Sequence, residues 1–216
     1  MKRILLYLVM VFCLFPLSLV QAADTTQKNY IDDLNAMLAV QDQIGTIYMG
    51  MTQEDAEANW ENVDGWRLKR KDHNTHYMRS DNVIRPAALA DYVKDSPKGS
   101  PLIRECFHIG SREGYVNNVQ VKYITQYRQV AAMLSNRAVD IFTANYGQPR
   151  KESSGPRFGS VLGSTHYDWR PQGRWCSVNY GAYKAISKED KINDLGRDDV
   201  PDNYYIVTIA ILSMDD

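Results

Sequence analysis

The chain has little cysteine. Of three cysteines, Cys13 falls inside an N-terminal apolar run, which leaves Cys106 and Cys176 for the rest of the molecule. It also lacks an excess of positive charge, with 25 Lys and Arg against 26 Asp and Glu. Such a balance offers no bulk attraction to nucleic acid or to an anionic membrane surface. Beyond the N-terminal run, no apolar stretch approaches membrane-spanning length and no low-complexity tract occurs. Neither Gly-x-Ser-x-Gly nor His-Glu-x-x-His is present, and there is no P-loop or dinucleotide fingerprint. No motif therefore places a nucleophile, a zinc-activated water or a phosphate-cradling loop.

What is present begins at the N-terminus. Lys2 and Arg3 precede an apolar run from Ile4 to Phe15, and Pro16 and Ser18 break it before Val20-Gln21-Ala22. This three-part pattern predicts a secretory signal over residues 1–22, with small or compact residues where a signal peptidase reads. An uncleaved anchor is the alternative. The apolar stretch to Val20 has 17 residues, short for a span, and Pro16 disfavours helix at its far end. No Cys stands at the cleavage point, so a lipid-anchored product is not expected. Cleavage would leave 23 basic against 26 acidic residues and one domain over 23–216, exported to the periplasm or the outside medium.

Export governs the reading of the cysteines. In an oxidising compartment Cys106 and Cys176 are most simply one disulfide, a constraint of about 4 kcal/mol for a loop of that length. The rival is a catalytic thiol, which would need a base beside it. Strand alternation sets Cys106 with Arg104 and His108 against Ile103, Phe107 and Ile109, whereas Cys176 shares a side with Val178 and Tyr180. A bridge between an inward and an outward cysteine would need an edge or a bend.

Tyr30 to Ile44 carries apolar residues near helical spacing and stops at Gly45. A short strand at 46–52 follows. Thr52, with Asp55 three residues on, caps a short helix over Gln53–Glu61. Trp66–Lys71 and His76–Arg79 read as a hairpin around Asp72-His73-Asn74, and Pro86–Val93 as a helical turn. Strands are predicted at Leu102–Ile109 and Tyr115–Ile124, the second alternating cleanly enough for a sheet with one wet face. A long helix spans Gln126–Tyr146, with Thr125 placed to cap it and Gly147 and Pro149 to stop it. Strands return at Gly163–Trp169, Arg174–Tyr180 and Tyr204–Met214. The last is apolar on both sides, as a central strand is. The fold class is therefore α+β, with helices packed on an antiparallel sheet. The order divides into halves at 45–124 and 125–216, each with a strand ending in Thr, a helix and a meander. A duplication explains this, and so does the general preference for Thr at helix starts.

Gly50-Met51-Thr52 opening a helix, Tyr146-Gly147-Gln148-Pro149 closing one, and the later Tyr167-Asp168-Trp169 together resemble small bacterial envelope proteins. These are the SmpA/OmlA (BamE-like) group with a β-lactamase-inhibitor-like fold. The match covers about a quarter of the chain in short pieces. It departs from the pattern in lacking the lipid-attachment Cys and the Gly-x-Pro ending of the first helix. The resemblance implies a non-enzymatic protein-binding module and nominates no contact residues.

Candidate chemistry is sparse. His73 and His76 form His-x-x-His beside Asp72, but a turn there gives fewer ligands than a metal site needs, so no metal is expected. His166 and Asp168 lie two apart on a strand, as a base and its orienting acid would, with Arg170 continuing the face. A polar outer face opposite Tyr167 and Trp169 explains them equally. Six acidic residues between Glu189 and Asp202 miss the EF-hand spacing and read as a mobile, solvated loop. Fourteen Tyr and four Trp remain. Trp66, Trp169, Trp175, Tyr180 and Tyr183 are the candidate binding aromatics, since such rings give contact area at little entropic cost. The expectation is an exported binding or accessory module without cofactor, whose partner is another envelope or extracellular protein. The alternative is an envelope hydrolase using His166 with Asp168, or His108.

Overall fold

The structure, a computed structural model, describes residues 29–78, 84–154, 161–185 and 187–214. Residues 1–22, read from the sequence as a secretory signal, lie outside the described residues. The chain divides into two compact units, 1–36 and 37–216. A helix, α1, begins in the first unit and runs over 29–37. It does not reach Ile44 as its apolar repeat predicts. Gly45 N–H donates to Met37 O at 2.7 Å, Asp42 turns the chain at a φ of 66°, and Gln43–Ile44 (β1) pairs with Ile47–Tyr48 (β2) instead.

The second unit is organised by one eight-stranded antiparallel sheet. Its strands are β3 (Arg67–Met78), β4 (Ile84–Asp95), β5 (Leu102–Arg112), β6 (Tyr115–Thr125), β7 (Arg150–Ser154), β8 (Val161–Trp169), β9 (Arg174–Lys184) and β10 (Asn203–Ser213). Their spatial order is β3-β4-β5-β6-β10-β9-β8-β7. Two four-stranded meanders are thus joined through their last strands. Each meander follows a helix, α2 (Gln53–Glu61) before the first and α3 (Arg128–Tyr146) before the second. This is the expected α+β architecture, and β10 is central, as its two apolar faces predict.

Cross-strand partners share a face, so the register sorts the side chains. Ile109, Val119, Ile211, Cys176 and Trp169 form one continuous row across β5, β6, β10, β9 and β8. Phe107, two residues from Ile109, stacks on Trp60 of α2 with ring centroids 3.6 Å apart. Phe142 of α3 meets Trp169 edge-on at 5.4 Å. Both helices therefore pack on the same face. Leu134, Ala138, Val121, Val178 and Ile209 fill the layer between and are almost wholly buried.

A second, smaller core lies on the opposite face. Ile103, Ile124 and Tyr204 pack against Ala185, Leu195 and Val200 of the segment between β9 and β10. That segment contains a short turn of helix, α4 (Lys188–Asp190), and one π-helical turn at Lys191–Leu195. It was expected to be a mobile, solvated loop, yet it folds as a flap over one end of the sheet. Three of its carboxylates are held by cations: Asp198 by Lys188 at 2.6 Å, Asp202 by Lys191 at 2.7 Å, and Asp199 by Lys98 and Arg197.

Local readings fare unevenly. Thr52 caps α2 as predicted, accepting from Asp55 N–H at 3.2 Å and donating to Asp55 Oδ2 at 2.6 Å. Thr125 does not cap α3. The helix starts from Tyr127, and Thr125 Oγ1 accepts from Tyr127 N–H while donating to Pro101 O. The hairpin around Asp72-His73-Asn74 is absent. An Asn74 N–H to Asp72 Oδ1 bond folds the extra residues into a bulge, and β3 continues as an edge strand. Pro86–Val93 is strand, not helical turn: Ala88, Ala90 and Tyr92 alternate inward between β3 and β5.

Candidate functional site

The same register that builds the core decides the cysteines. Cys176 lies on the helix-covered face and Cys106, next to Phe107, on the other. Two strands, β6 and β10, separate β5 from β9. At about 4.8 Å per strand their backbones are roughly 14 Å apart, twice the reach of a disulfide. Both thiols are free. The predicted Cys106–Cys176 bridge is not formed.

The five candidate aromatics do not converge. Trp169 is core, its indole N–H donating to Gly147 O at 2.8 Å. Trp66 leans on Trp60 and Phe107 at the edge of the helix-covered face. Tyr180 stacks on Tyr205, also on that face. Only Trp175 and Tyr183 lie on the opposite face, near its two ends.

His166 and Asp168 share the uncovered face but do not bond. Asp168 takes Arg170 Nε at 3.3 Å, and His166 turns its ring toward Trp175. His108 is four strands away on β5. Its Nδ1 bonds Asp91 Oδ1 across the β4–β5 pair at 2.7 Å. Burial works to raise the Asp91 carboxyl. The His108 hydrogen bond, with Lys122 and Arg70 nearby, outweighs it and holds the carboxyl below its usual range. His73 Nε2 donates to Glu57 Oε1 at 2.8 Å, while His76 stands opposite Pro86. Among the described residues no group of three or more His, Cys, Asp or Glu could hold a metal ion.

One concave feature of the unit is a cleft of about 360 Å³ between the uncovered sheet face and the flap. No local sequence signal marks it, because its walls come from six strands and the flap. Val93, Ile124 and Ile206 rise from the sheet, Leu195 comes from the flap, and Tyr183 and Tyr204 close one side as a stacked pair. Lys69, Asp91, Cys106 and Lys122 supply its polar groups. Lys69 reaches in from the edge strand and donates to Asn193 O of the flap at 3.3 Å. Burial pushes the Cys106 thiol up, against the pull of Arg104, Lys122 and Lys69. No hydrogen bond joins its sulfur to His108 among the described residues. The neutral thiol is not activated as a nucleophile.

Two electrostatic clasps hold the helices to the rest of the unit. Glu57 of α2, nearly buried, accepts from Lys71, His73 and Gln53, tying the helix to β3. Burial works to raise its carboxyl, and these bonds together hold it lower. Asp42 is bound by Arg174 and by Tyr146 Oη at 2.7 Å, which ties the turn leading into β1 to β9 and α3. Comparison with known proteins gives no matching family, no matching curated relative and no matching solved structure. Among the described residues no helix is long and apolar enough to cross a membrane.

Proposed function

We propose that the protein is exported and serves as a non-enzymatic binding or accessory module, engaging another envelope or extracellular protein through the uncovered face of its sheet. The observation that carries this reading is the asymmetry of the sheet. Both packed helices lie on one face. On the other, His108, Gln120, Asn179, Thr208 and His166 stand half-exposed across five adjacent strands. A mixed polar surface on a rigid ladder suits protein recognition, since its groups are held in place before contact. Asn179 Oδ1 and Trp175 Nε1 on this face have no hydrogen-bond partner among the described residues, and buried polar atoms left so are uncommon.

Export to the periplasm or the outside medium belongs to the same proposal and is supported by the pattern at residues 1–22. So does the similarity to the SmpA/OmlA group, supported by Gly50-Met51-Thr52 leading into α2 and Gly147 ending α3. The hydrolase alternative has less support. Asp168 bonds Arg170 and not His166, and His108 has no activated nucleophile beside it. Affinity capture from envelope extract tests the reading. It expects one protein enriched by the wild type and lost with a Gln120→Arg, Asn179→Arg double variant; equal capture by both sinks it.

A further inference from the structure

We infer that the cleft between the uncovered sheet face and the flap binds a small molecule that joins a single carboxylate to an apolar body. The inference does not rest on the docking proposal, because it concerns a small-molecule cavity rather than the broad polar face.

The cavity's volume of about 360 Å³ lies within the range of small-molecule pockets. Its walls divide by chemistry. Val93, Ile124, Ile206 and Leu195 form an apolar surface, extended by the stacked Tyr183 and Tyr204 rings. Gly181 leaves room for the Tyr183 ring in this position: a β-carbon on that glycine would meet the ring at 2.6 Å, and the ring would have to shift.

The polar end carries the argument for charge. Lys122 is half-buried on the central strand β6, and among the described residues its ammonium reaches no carboxylate within ion-pair distance. A partly desolvated ammonium without a partner is costly, and a bound anion offsets that cost. Lys69 stands on the same cavity, committed only to one flap carbonyl. The opposing charge is Asp91, which already bonds His108. Of the other nearby cations, Arg104 is taken by Asp95 at 2.6 Å and Arg70 lies 3.5 Å from Asp72. Among the described lining residues, two lysines against one carboxylate leave a single uncompensated positive charge. That suits a monoanion, and the Asp91 carboxylate disfavours a phosphate dianion in the same space. A carboxylate seated at Lys122 would place the rest of the ligand along the Ile124, Ile206 and Leu195 wall.

The test is calorimetric titration of the purified protein with octanoate, octan-1-ol and octylammonium as probes. One charge-assisted hydrogen bond contributes about 1.5–3 kcal/mol, or roughly 10- to 150-fold in affinity. Octanoate is expected to bind, with octan-1-ol and octylammonium at least about tenfold weaker. Lys122→Gln should reduce octanoate affinity to the level of the alcohol, while Lys122→Arg retains it. The wild-type comparison needs no variant, so it stands even if a substitution disturbs folding. Absence of octanoate binding, equal binding of the alcohol, or an unchanged affinity in Lys122→Gln would overturn the inference. None of these results involves a protein partner, so they leave the docking proposal to its own experiment.

Discussion

Gly196 of the flap lies directly over the guanidinium of Arg104 on β5, with a φ of +78°. A β-carbon at that position would fall on the guanidinium group, and the backbone conformation itself disfavours any other residue. Arg104 is almost wholly buried and bonds Asp95. The glycine therefore lets the flap close over a buried cation, and the small core of Ile103, Ile124, Leu195 and Val200 forms around that contact.

Gly196→Ala should lift the flap without disturbing the helix-covered core. Hydrogen exchange at 187–202 is expected to accelerate, with a loss of about 1–3 kcal/mol in overall stability from strain and lost packing. Unchanged exchange in that segment would contradict the role given to the Arg104–Gly196 contact.

Cys106 and Cys176 should both react with an alkylating reagent in the unreduced, denatured protein, adding two labels by intact mass. In the folded protein Cys106, open to the cleft, is labelled first, and the fully buried Cys176 only on unfolding. A protein that takes no label until reduced would restore the bridge.

Acid should loosen α2. The Glu57 carboxyl is held below its ordinary value of 4.5. The stability this gives is fully present above that value and is lost as pH falls through the lower folded value. Glu57→Gln removes the charge that Lys71 and His73 bind, and should cost about 1–3 kcal/mol at neutral pH. Stability measured against pH should then fall less steeply in the variant below about pH 4.5.

Alkali should act through Cys176. Burial pushes its thiol up to about 11, against the Tyr146 hydrogen bond. The unfolded chain releases this proton near pH 9 and the folded chain does not. Stability should therefore decline between about pH 9 and pH 11, by about 1.4 kcal/mol per pH unit at most. Cys176→Ala should flatten that part of the curve.

Much of the fold was legible in the sequence. Thr52 with Asp55 marked the start of α2, and the two-sided apolar run of β10 marked a central strand, because both signals are local. What failed was decided by partners far along the chain. Pro86–Val93 carries small residues that pass for a helical turn. They form strand because β3 and β5 flank them and Ala88 and Ala90 fit beneath. Asp72-His73-Asn74 has turn residues, but the same bond that makes a turn also makes a bulge. The site was less legible. The opposite faces of Cys106 and Cys176 were visible in strand alternation, whereas the number of strands between them was not. Lys122 and Lys69 gave no sequence signal, since their convergence depends on the flap and on the register shift at Lys69 in the edge strand.

The proposed partner would meet the uncovered face of the sheet after export. Site-specific photo-crosslinking in living cells tests this contact most directly, with a photoreactive residue at Gln120 or Asn179 on that face and at Asn136 on the outer side of α3. The account predicts the same protein adduct from Gln120 and Asn179 and none from Asn136. Adducts from Asn136 alone, or none from either sheet position, would contradict it.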